Sequence, residues 1–336
     1  MLDVNFNQII EMIEKRKNNA YRKVNEEMIL LYLEVGKFLY ELKGQSGYGD
    51  KITTKAADFM KNNYPAIKGF TKRNIERMIQ FYSTYKDDEI ATPLVTQLSW
   101  TNNLLILSGS KTEEERHFYL QLSIKNNYSK RELDRQITSS YYERYMLSDG
   151  KQLPTANKTI DEDDYPNTRI LDTYSLEFLD LPNEYTEKDL KNAIIKNLKD
   201  FILEVGKDFT FIGDEYRIQV GNHDFFIDLL FYNRELSCLV AFELKLGEFK
   251  AEYLGKMNLY LEALDRDVKK AQENPSVGII LCSSKDKDVV EYSLSKNMSQ
   301  TLIAEYKLKL IDKKLLETKL KEMKSFIKDE GLLNEE

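Results

Sequence analysis

The hydrophobic pattern changes once along this sequence, and that change constrains the fold more than any other feature. Through residues 1–146, apolar side chains recur at helical spacing, as Ile9 and Ile13 do near the start. From about residue 186, the pattern becomes a series of strand-like apolar runs, of which residues 225–232 form a continuous example. Helices that flank mixed strands are typical of an α/β domain with a covered central sheet. The sequence therefore predicts an all-α N-terminal domain and an α/β C-terminal domain.

Local signals divide the chain further. The stretch 147–170 is polar, contains two prolines and predicts a linker between a first domain at 1–146 and a second at 171–336. Four Ser or Thr residues stand where they can cap a helix, and three of them have an acid three positions later. These helix starts are Thr71, Thr112 with Glu115, Ser129 with Glu132, and Thr186 with Asp189.

Composition excludes several classes of protein. With 336 residues, of which 42% are hydrophobic, the chain can bury a core, so disorder over most of its length is not expected. The apolar runs are too short for a membrane span, and the N-terminus has no apolar signal segment. Two cysteines in apolar runs fit a reducing compartment. We therefore expect a cytoplasmic protein with no membrane association.

The charge of the chain is distributed unevenly. The net charge is −7, but residues 1–150 carry 22 cations and 20 acids, whereas the remainder carries 27 cations and 36 acids. An acidic second half is unusual for a protein that binds nucleic acid, unless some of its carboxylates hold a metal ion.

Three charged residues interrupt the apolar runs of the second half. Asp228 lies within one predicted strand, and Glu243 and Lys245 lie two residues apart on the next. Since side chains alternate along a strand, Glu243 and Lys245 face the same way. If residues 233–236 form the turn, the strands pair antiparallel, with Asp228 near Ala241 and on the same face as Glu243. Two carboxylates and one ammonium group would then share one patch of a sheet.

Such a patch suits the hydrolysis of a phosphodiester bond. Two adjacent carboxylates repel each other unless a cation lies between them, and Mg²⁺ is commonly held by one or two carboxylates plus water and phosphate oxygens. A nearby lysine can stabilise the charge that develops in the transition state. The alternative is a satisfied ion-pair network on a half-buried face, and an isolated Glu-x-Lys spacing does not distinguish the two.

The longer sequence context resembles one family. The segments 203–213, 215–220, 225–249, 252–270 and 273–282 resemble the YhcG-type family of PD-(D/E)XK nucleases, and so do 33–42, 73–82, 98–100, 118–123 and 130–145 in the first half. The resemblance covers almost the whole chain. It implies a restriction-endonuclease-like C-terminal domain of mixed central sheet and flanking helices. The helical N-terminal domain would bind DNA or a partner, and a winged-helix-like arrangement is one form expected for it.

The resemblance also implies roles for individual residues. Asp228 and Glu243 match the acidic metal ligands of the motif, and Lys245 matches its catalytic lysine. Glu204 resembles the helix glutamate that serves as an auxiliary metal ligand. Lys256 stands where some relatives have Gln, and Tyr260 stands where they have Tyr, so we predict nucleic-acid contacts for both. The competing interpretation is that Tyr260 packs on the sheet while Lys256 is solvated.

A second group of candidate nucleic-acid contacts lies in the N-terminal half. Several cations and one amide begin a helix, where the helix dipole favours anions, and the amide could read a base edge in a major groove. The alternative is an ordinary solvated helix face. These residues are Lys72, Arg73, Asn74 and Arg77, and a similar cluster comprises Lys130, Arg131 and Arg135. His117 is interpreted as a packing or surface residue rather than a metal ligand.

The sequence as a whole predicts a two-domain, metal-dependent nuclease that uses Mg²⁺ or Mn²⁺. By the resemblance, its substrate is DNA, and its context is defence or mobile elements. The alternative is a non-catalytic module that binds nucleic acid or protein on a degenerate nuclease fold. A homodimer is expected if both strands of a duplex are cut, and an activating partner protein is left open.

Overall fold

The computed structural model describes residues 7–45, 51–148, 171–295 and 300–329. The chain divides into two compact units, Met1–Ile137 and Thr138–Glu336. Residues 149–170, which form almost all of the predicted linker, lie outside the described residues, and the predicted domain limits stay a prediction. Within the described part of the chain, none of the helices combines the length and the apolar character that crossing a bilayer requires.

The first unit consists of helices joined by turns and irregular segments in its described residues. No strand occurs among them, so the strand pair that forms the wing of a winged helix is not seen there. The helices are α1 (Asn7–Gln45), α2 (Lys51–Asn63), α3 (Lys72–Tyr85), α4 (Ala91–Val95), α5 (Trp100–Gly109), α6 (Glu113–Asn126) and α7 (Lys130–Thr138), the last of which ends at the boundary between the units.

Helix α1 is the longest element of the first unit, and one of its faces packs on α3. Ile29, Tyr32 and Leu39 are buried on that face. Gly36 lies between them, and a Cβ atom at this position would stand 2.2 Å from the carbonyl oxygen of Met78 on α3. Because any larger residue would push the helices apart, this glycine sets how closely α1 approaches α3.

The predicted helix starts are confirmed. The Ser or Thr hydroxyl accepts a hydrogen bond from a backbone N–H three residues later, which satisfies one of the donors that a helix N-terminus leaves free. The pairs are Thr71 with Asn74, Thr112 with Glu115, Ser129 with Glu132 and Thr186 with Asp189, and the acids of the last two pairs return a bond to the backbone of the capping residue.

The second unit contains one mixed six-stranded sheet of order β1-β6-β5-β4-β3-β2. Strands β2, β3 and β4 pair antiparallel, and β4, β5, β6 and β1 pair parallel. The strands are β1 (Thr173–Ser175), β2 (Phe209–Val220), β3 (His223–Asn233), β4 (Cys238–Leu244), β5 (Val277–Cys282) and β6 (Thr301–Lys307). The helices are α8 (Tyr141–Leu147), α9 (Glu187–Lys196), α10 (Leu198–Val205), α11 (Tyr253–Ala263), α12 (Lys287–Leu294) and α13 (Lys313–Asp329).

Helices cover both faces of this sheet. On one face, α11 packs so closely on β5 that a Cβ atom on Gly278 would meet the sulfur of Met257 at 2.5 Å. On the other face, Phe201 of α10 contacts the rings of Phe231 and Phe242. Both faces are therefore apolar, which explains why β4 and β5 consist entirely of buried residues. The predicted α/β domain with a mixed central sheet and flanking helices is confirmed.

Candidate active site

The β3–β4 hairpin brings Asp228 and Glu243 to the same level of the sheet. Leu230 pairs with Ala241, so continuing this register puts Asp228 level with Glu243. The prediction that Asp228 lies near Ala241 was therefore wrong by two residues. The turn comes one residue later than predicted, because Ser237 adopts a left-handed φ of 49° before β4 begins. A shift of two residues keeps every side chain on its predicted face.

Asp228 is fixed by the backbone of the neighbouring strand. Its Oδ2 accepts a hydrogen bond of 2.8 Å from the backbone N–H of Leu244. Burial raises the pKa of the Asp228 carboxyl above its ordinary value, and the charge of Glu243 adds to this increase. A carboxylate that burial and a like charge both destabilise is a site where a cation binds favourably.

Glu243 is almost completely buried, with 1% of the residue exposed, and its two oxygens have different environments. Oε1 lies 2.9 Å from the ammonium nitrogen of Lys245 and 2.6 Å from that of Lys256. Oε2 is also buried, yet no group among the described residues forms a hydrogen bond with it. A buried carboxylate oxygen without a partner is costly, so Oε2 is a candidate ligand atom.

Lys245 is held in its protonated form. Burial lowers the pKa of its ammonium group, but the hydrogen bond to Glu243 and the charges of Glu243 and Glu187 outweigh burial, so that the pKa lies above the ordinary value. The side chain also lies 5.5 Å from the centre of the Tyr253 ring. At neutral pH this lysine therefore supplies a positive charge and hydrogen-bond donors, and it does not supply a base.

Glu187 is a third carboxylate at this site, and sequence reasoning did not identify it. Its Oε2 lies 3.3 Å from the ammonium nitrogen of Lys245, and its Oε1 accepts a 3.4 Å hydrogen bond from the backbone N–H of Leu246. The sequence predicted the start of α9 from Thr186 and Asp189. Nothing in the sequence indicated that this start lies beside Lys245, which is 58 positions away along the chain.

Glu204 forms a buried ion pair with Arg144. Its Oε1 accepts hydrogen bonds from the Arg144 guanidinium at 2.5 Å and from the backbone N–H of Ser175 at 2.7 Å, and the residue is fully buried. These contacts are typical of a buried structural ion pair. The auxiliary metal-ligand role of Glu204 stays a prediction, and Glu187 is the acid that contacts Lys245.

The two candidates on α11 have different environments. Lys256 is half-exposed and contacts Glu243, whereas Tyr260 is buried in the core and donates a hydrogen bond of 2.6 Å to the carbonyl oxygen of Phe226. The contacts of Tyr260 thus agree with the packing interpretation. Its predicted contact with nucleic acid, like that of Lys256, stays a prediction.

Comparisons with known proteins identify the family. Residues 8–144 match the profile described as the DUF1016 N-terminal domain, and residues 167–321 match the YhcG PDDEXK nuclease domain. A relative from Escherichia coli (strain K12), named "Putative nuclease YhcG", is 30% identical over 345 residues, which cover 93% of this chain and 92% of the relative. The chain belongs to the YhcG family. The predicted family is confirmed, and the sheet unit carries its PDDEXK nuclease domain.

Two solved structures resemble parts of this YhcG-family chain. A repair endonuclease from Pyrococcus abyssi is 20% identical with a TM-score of 0.26, and the match covers 39% of this chain and 50% of that one. The EndoMS protein of an EndoMS-dsDNA2 complex is 17% identical with a TM-score of 0.27, covering 37% and 48% of the respective chains.

The candidate nucleic-acid residues of the DUF1016 unit fall into two groups. Arg73 is exposed at the start of α3, Arg77 is half-buried, and Lys72 lies 3.9 Å from Glu76. Asn74, by contrast, donates to the carbonyl oxygen of Gly69 at 2.6 Å and accepts from the indole N–H of Trp100 at 2.9 Å. Both ends of its amide are used within the unit. The nucleic-acid roles of all four residues stay a prediction.

The same unit contains a group of metal-type ligands that the sequence interpretation of His117 did not anticipate. Potential ligand atoms of Asp88, Glu113 and His117 lie within 4.8 Å of one another. Asp88 already forms two contacts, since its Oδ2 lies 2.7 Å from Nε2 of His117 and its Oδ1 accepts from the backbone N–H of Ala91. We interpret these contacts as a hydrogen-bonded link between the end of α3 and the start of α6.

Proposed function

We propose that this protein is a metal-dependent deoxyribonuclease, which hydrolyses phosphodiester bonds at Asp228, Glu243 and Lys245 with Mg²⁺ or Mn²⁺ bound. The observation that carries the proposal is the buried Oε2 of Glu243, which has no hydrogen-bond partner among the described residues and stands at the level of Asp228 in the hairpin.

The residues present fit a hard divalent cation. Asp228 and Glu243 offer carboxylate oxygens, which are the ligands that Mg²⁺ and Mn²⁺ prefer. The raised pKa of Asp228 also favours a cation at this position, because a bound cation would offset the repulsion from Glu243 that contributes to the increase. Glu187 adds a third carboxylate close to Lys245, and it is our candidate for the auxiliary ligand role that Glu204 was predicted to have.

The protein residues divide the chemical task between them. Asp228 and Glu243 would hold the ion, which supplies charge stabilisation to the phosphate and lowers the pKa of a nearby water when it is bound. Lys245, protonated and held by Glu243 and Glu187, would donate a hydrogen bond to the phosphate oxygen on which negative charge develops. Lys256 also pairs with Oε1 of Glu243. Both lysines therefore bind the same oxygen, and Oε2 stays available to a ligand.

DNA is the substrate we propose, and the resemblance to the family is the support for this choice over RNA. DNA and RNA both contain phosphodiester bonds, so the chemistry of the cleavage site does not distinguish the two. The exposed Arg73 and the neighbouring Lys72 are the residues we propose to contact the phosphate backbone outside the cleavage site.

The test is a cleavage assay with the full chain. Supercoiled plasmid, linear duplex, branched DNA and duplex RNA are incubated with Mg²⁺, with Mn²⁺ or with EDTA. We expect metal-dependent cleavage of at least one DNA form, and a decrease of about 100-fold or more in Asp228→Asn and Lys245→Gln, as expected for the loss of groups that stabilise the transition state. Glu187→Gln should decrease the rate by a smaller factor.

The matched control is Asp224→Asn on the same strand. Asp224 is exposed and paired with Arg217 at 2.8 Å, so its replacement removes an acid without affecting the site. Cleavage that persists in Asp228→Asn would assign the activity to other residues. If the wild type cleaves none of the substrates but still binds DNA, the protein is instead the non-catalytic binding module.

A further inference from the structure

Helix α1 carries an apolar stripe beside its packed face, and the stripe is exposed along most of its length. The nine positions of the stripe are Ile10, Ile13, Lys17, Tyr21, Val24, Met28, Leu31, Val35 and Phe38, with Lys17 the single polar member. Ile10, Tyr21, Val24 and Phe38 are each 60% exposed or more. Val35 is partly buried and packs against the cluster of Leu39, Ile52 and Ile75, so the stripe adjoins the packed face at this position.

The spacing of the stripe is that of a coiled coil. Eight steps of three or four residues cover the 28 positions from Ile10 to Phe38, which gives a mean of 3.5 residues per step. A straight α-helix has 3.6 residues per turn, and a stripe with a period of 3.5 stays in register with a second helix that winds around it. The stripe is about 42 Å long at 1.5 Å per residue, which is long enough for four heptads.

The apolar side chains at the two ends of the stripe are placed symmetrically about Val24. If a second α1 is placed antiparallel with the two Val24 residues facing each other, Ile10 lies opposite Phe38 and Ile13 lies opposite Val35. Tyr21 then lies opposite Met28 to within one residue, and Lys17 lies opposite Leu31. A surface that matches its own reverse fits a two-fold interface, in which both subunits use the same patch.

The charges favour the same orientation. Residues 10–23 of α1 carry five cations and two acids, whereas residues 25–38 carry three acids and one cation. In an antiparallel pair, Lys17 lies between Glu27 and Glu34 of the second copy. In a parallel pair, the five cations of one copy would lie beside the same five cations of the other, which is unfavourable. Charge complementarity therefore selects a second copy of this chain in the antiparallel orientation.

We propose that the exposed stripe of α1 forms an antiparallel, two-fold coiled coil with α1 of a second copy, so that the protein is a homodimer through its helical unit. This inference does not depend on nuclease activity, since none of its residues belongs to the candidate active site.

The first experiment measures the mass of the full chain by sedimentation velocity and native mass spectrometry at about 10 μM, a concentration in the range where specific dimers assemble. The wild type should have twice the chain mass of 39.5 kDa. Val24→Glu and Val24→Lys should each weaken the dimer by about 100-fold or more, because two like charges then face each other across the two-fold axis in an apolar seam.

Two controls keep this experiment decisive. Mixing Val24→Glu with Val24→Lys should restore the dimer, which a misfolded variant would not do. Ile90→Glu changes an isoleucine of the same unit that is 62% exposed and outside the stripe, and it should leave the dimer intact. A monomeric wild type would overturn the proposal and assign the stripe to another part of the chain or to a different protein. A dimer that survives Val24→Glu would move the interface elsewhere.

A second experiment tests the orientation. Ile10→Cys and Phe38→Cys proteins are oxidised separately and as a mixture, and the native Cys238 and Cys282 are both buried. An antiparallel pair predicts a disulfide between Ile10→Cys and Phe38→Cys in the mixture and little cross-linking in either protein alone. Efficient cross-linking of Ile10→Cys to itself would mean a parallel pair and would contradict the proposal.

Discussion

The ammonium nitrogen of Lys256 lies 2.6 Å from Oε1 of Glu243, although one residue is on α11 and the other is on β4. Lys245 approaches the same oxygen, so two cations share one carboxylate oxygen and the second oxygen stays without a partner among the described residues. This arrangement gives Glu243 a neutralised side and a side that is available to a ligand, and its consequences can be measured.

Lys256→Gln should make the enzyme bind Mg²⁺ more tightly. The wild-type ammonium group of Lys256 repels a cation bound at Glu243. Removing one unit charge about 4 Å from another in a water-like environment changes the electrostatic free energy by roughly 1 kcal/mol, which corresponds to about a fivefold change in affinity. The half-saturating Mg²⁺ concentration, measured from cleavage rate and from the metal-dependent increase in Tm, should fall accordingly. Lys250→Gln, which removes an exposed lysine before α11, is the control. An increased Mg²⁺ requirement in Lys256→Gln would contradict this electrostatic role.

Asp228→Asn should stabilise the metal-free protein at neutral pH. Because the pKa of Asp228 is raised in the folded state, the protonated form is favoured there, and its contribution to stability is complete below the unfolded pKa of about 3.9. That contribution is lost as pH rises through the folded pKa. Asparagine does not ionise, so the variant loses no stability in this way. The stability of Asp228→Asn relative to the wild type should therefore increase as pH rises from 4 to 7.

The measurement is Tm in EDTA across that pH range. We expect the Tm of Asp228→Asn at pH 7 to exceed that of the wild type by about 2–4 °C, the shift that a change of roughly 1 kcal/mol produces in a unit of this length. Adding Mg²⁺ should reverse the order, because only the wild type keeps the carboxylate that a cation binds. Equal Tm values at all pH values would show that Asp228 experiences no net repulsion.

Glu204→Gln should destabilise the protein without removing its activity. The change leaves the buried Arg144 guanidinium without a countercharge from Glu204, and breaking a buried ion pair on one side costs about 3–5 kcal/mol. Urea unfolding measures the loss, and the cleavage rate per folded molecule should stay within about twofold of the wild type, since the groups that stabilise the transition state are unchanged.

The double variant Glu204→Leu/Arg144→Leu distinguishes this pair from a metal-ligand role. Removing both charges avoids the uncompensated guanidinium, so part of the lost stability should return. A large loss of activity in Glu204→Gln at saturating Mg²⁺, with normal stability, would instead support the predicted metal-ligand role.

Arg73→Ala should weaken DNA binding and decrease its dependence on salt. Arg73 is exposed, and if it contacts one phosphate, the slope of log K against log [salt] should decrease in magnitude by about 0.9. Fluorescence anisotropy at several salt concentrations measures the slope. Lys61→Ala on α2 is the control for the loss of an exposed cation.

Asn74→Ala should behave differently from Arg73→Ala. The side chain of Asn74 bonds to Gly69 and Trp100, so its removal should lower the free energy of unfolding by about 1–3 kcal/mol, as the loss of partly buried hydrogen bonds does. DNA affinity measured on the folded protein should change little. A base-dependent loss of affinity without loss of stability would restore the base-reading role predicted for Asn74.

The amino-acid sequence alone determined the local structure and three residues of the site, Asp228, Glu243 and Lys245. Helix starts at Thr71, Thr112 and Ser129 follow from hydrogen bonds between residues three apart, and the shared face of Glu243 and Lys245 follows from the alternation of side chains along a strand. These rules depend only on residues close in sequence, so they hold whatever the tertiary packing is. The charge of Asp228 within an apolar strand also marked it as a site residue, and the family resemblance implied its role as a metal ligand.

Only the tertiary structure decided which distant residues meet. Glu187 lies beside Lys245 because the start of α9 approaches the end of β4, and the carboxylate of Glu204 accepts hydrogen bonds from Arg144 and Ser175. Burial also divided α1 into a packed face at Ile29 and an exposed face at Val24, although both residues are apolar. Sequence spacing specifies the face of an element on which a residue lies, whereas packing against the rest of the chain determines what that face contacts.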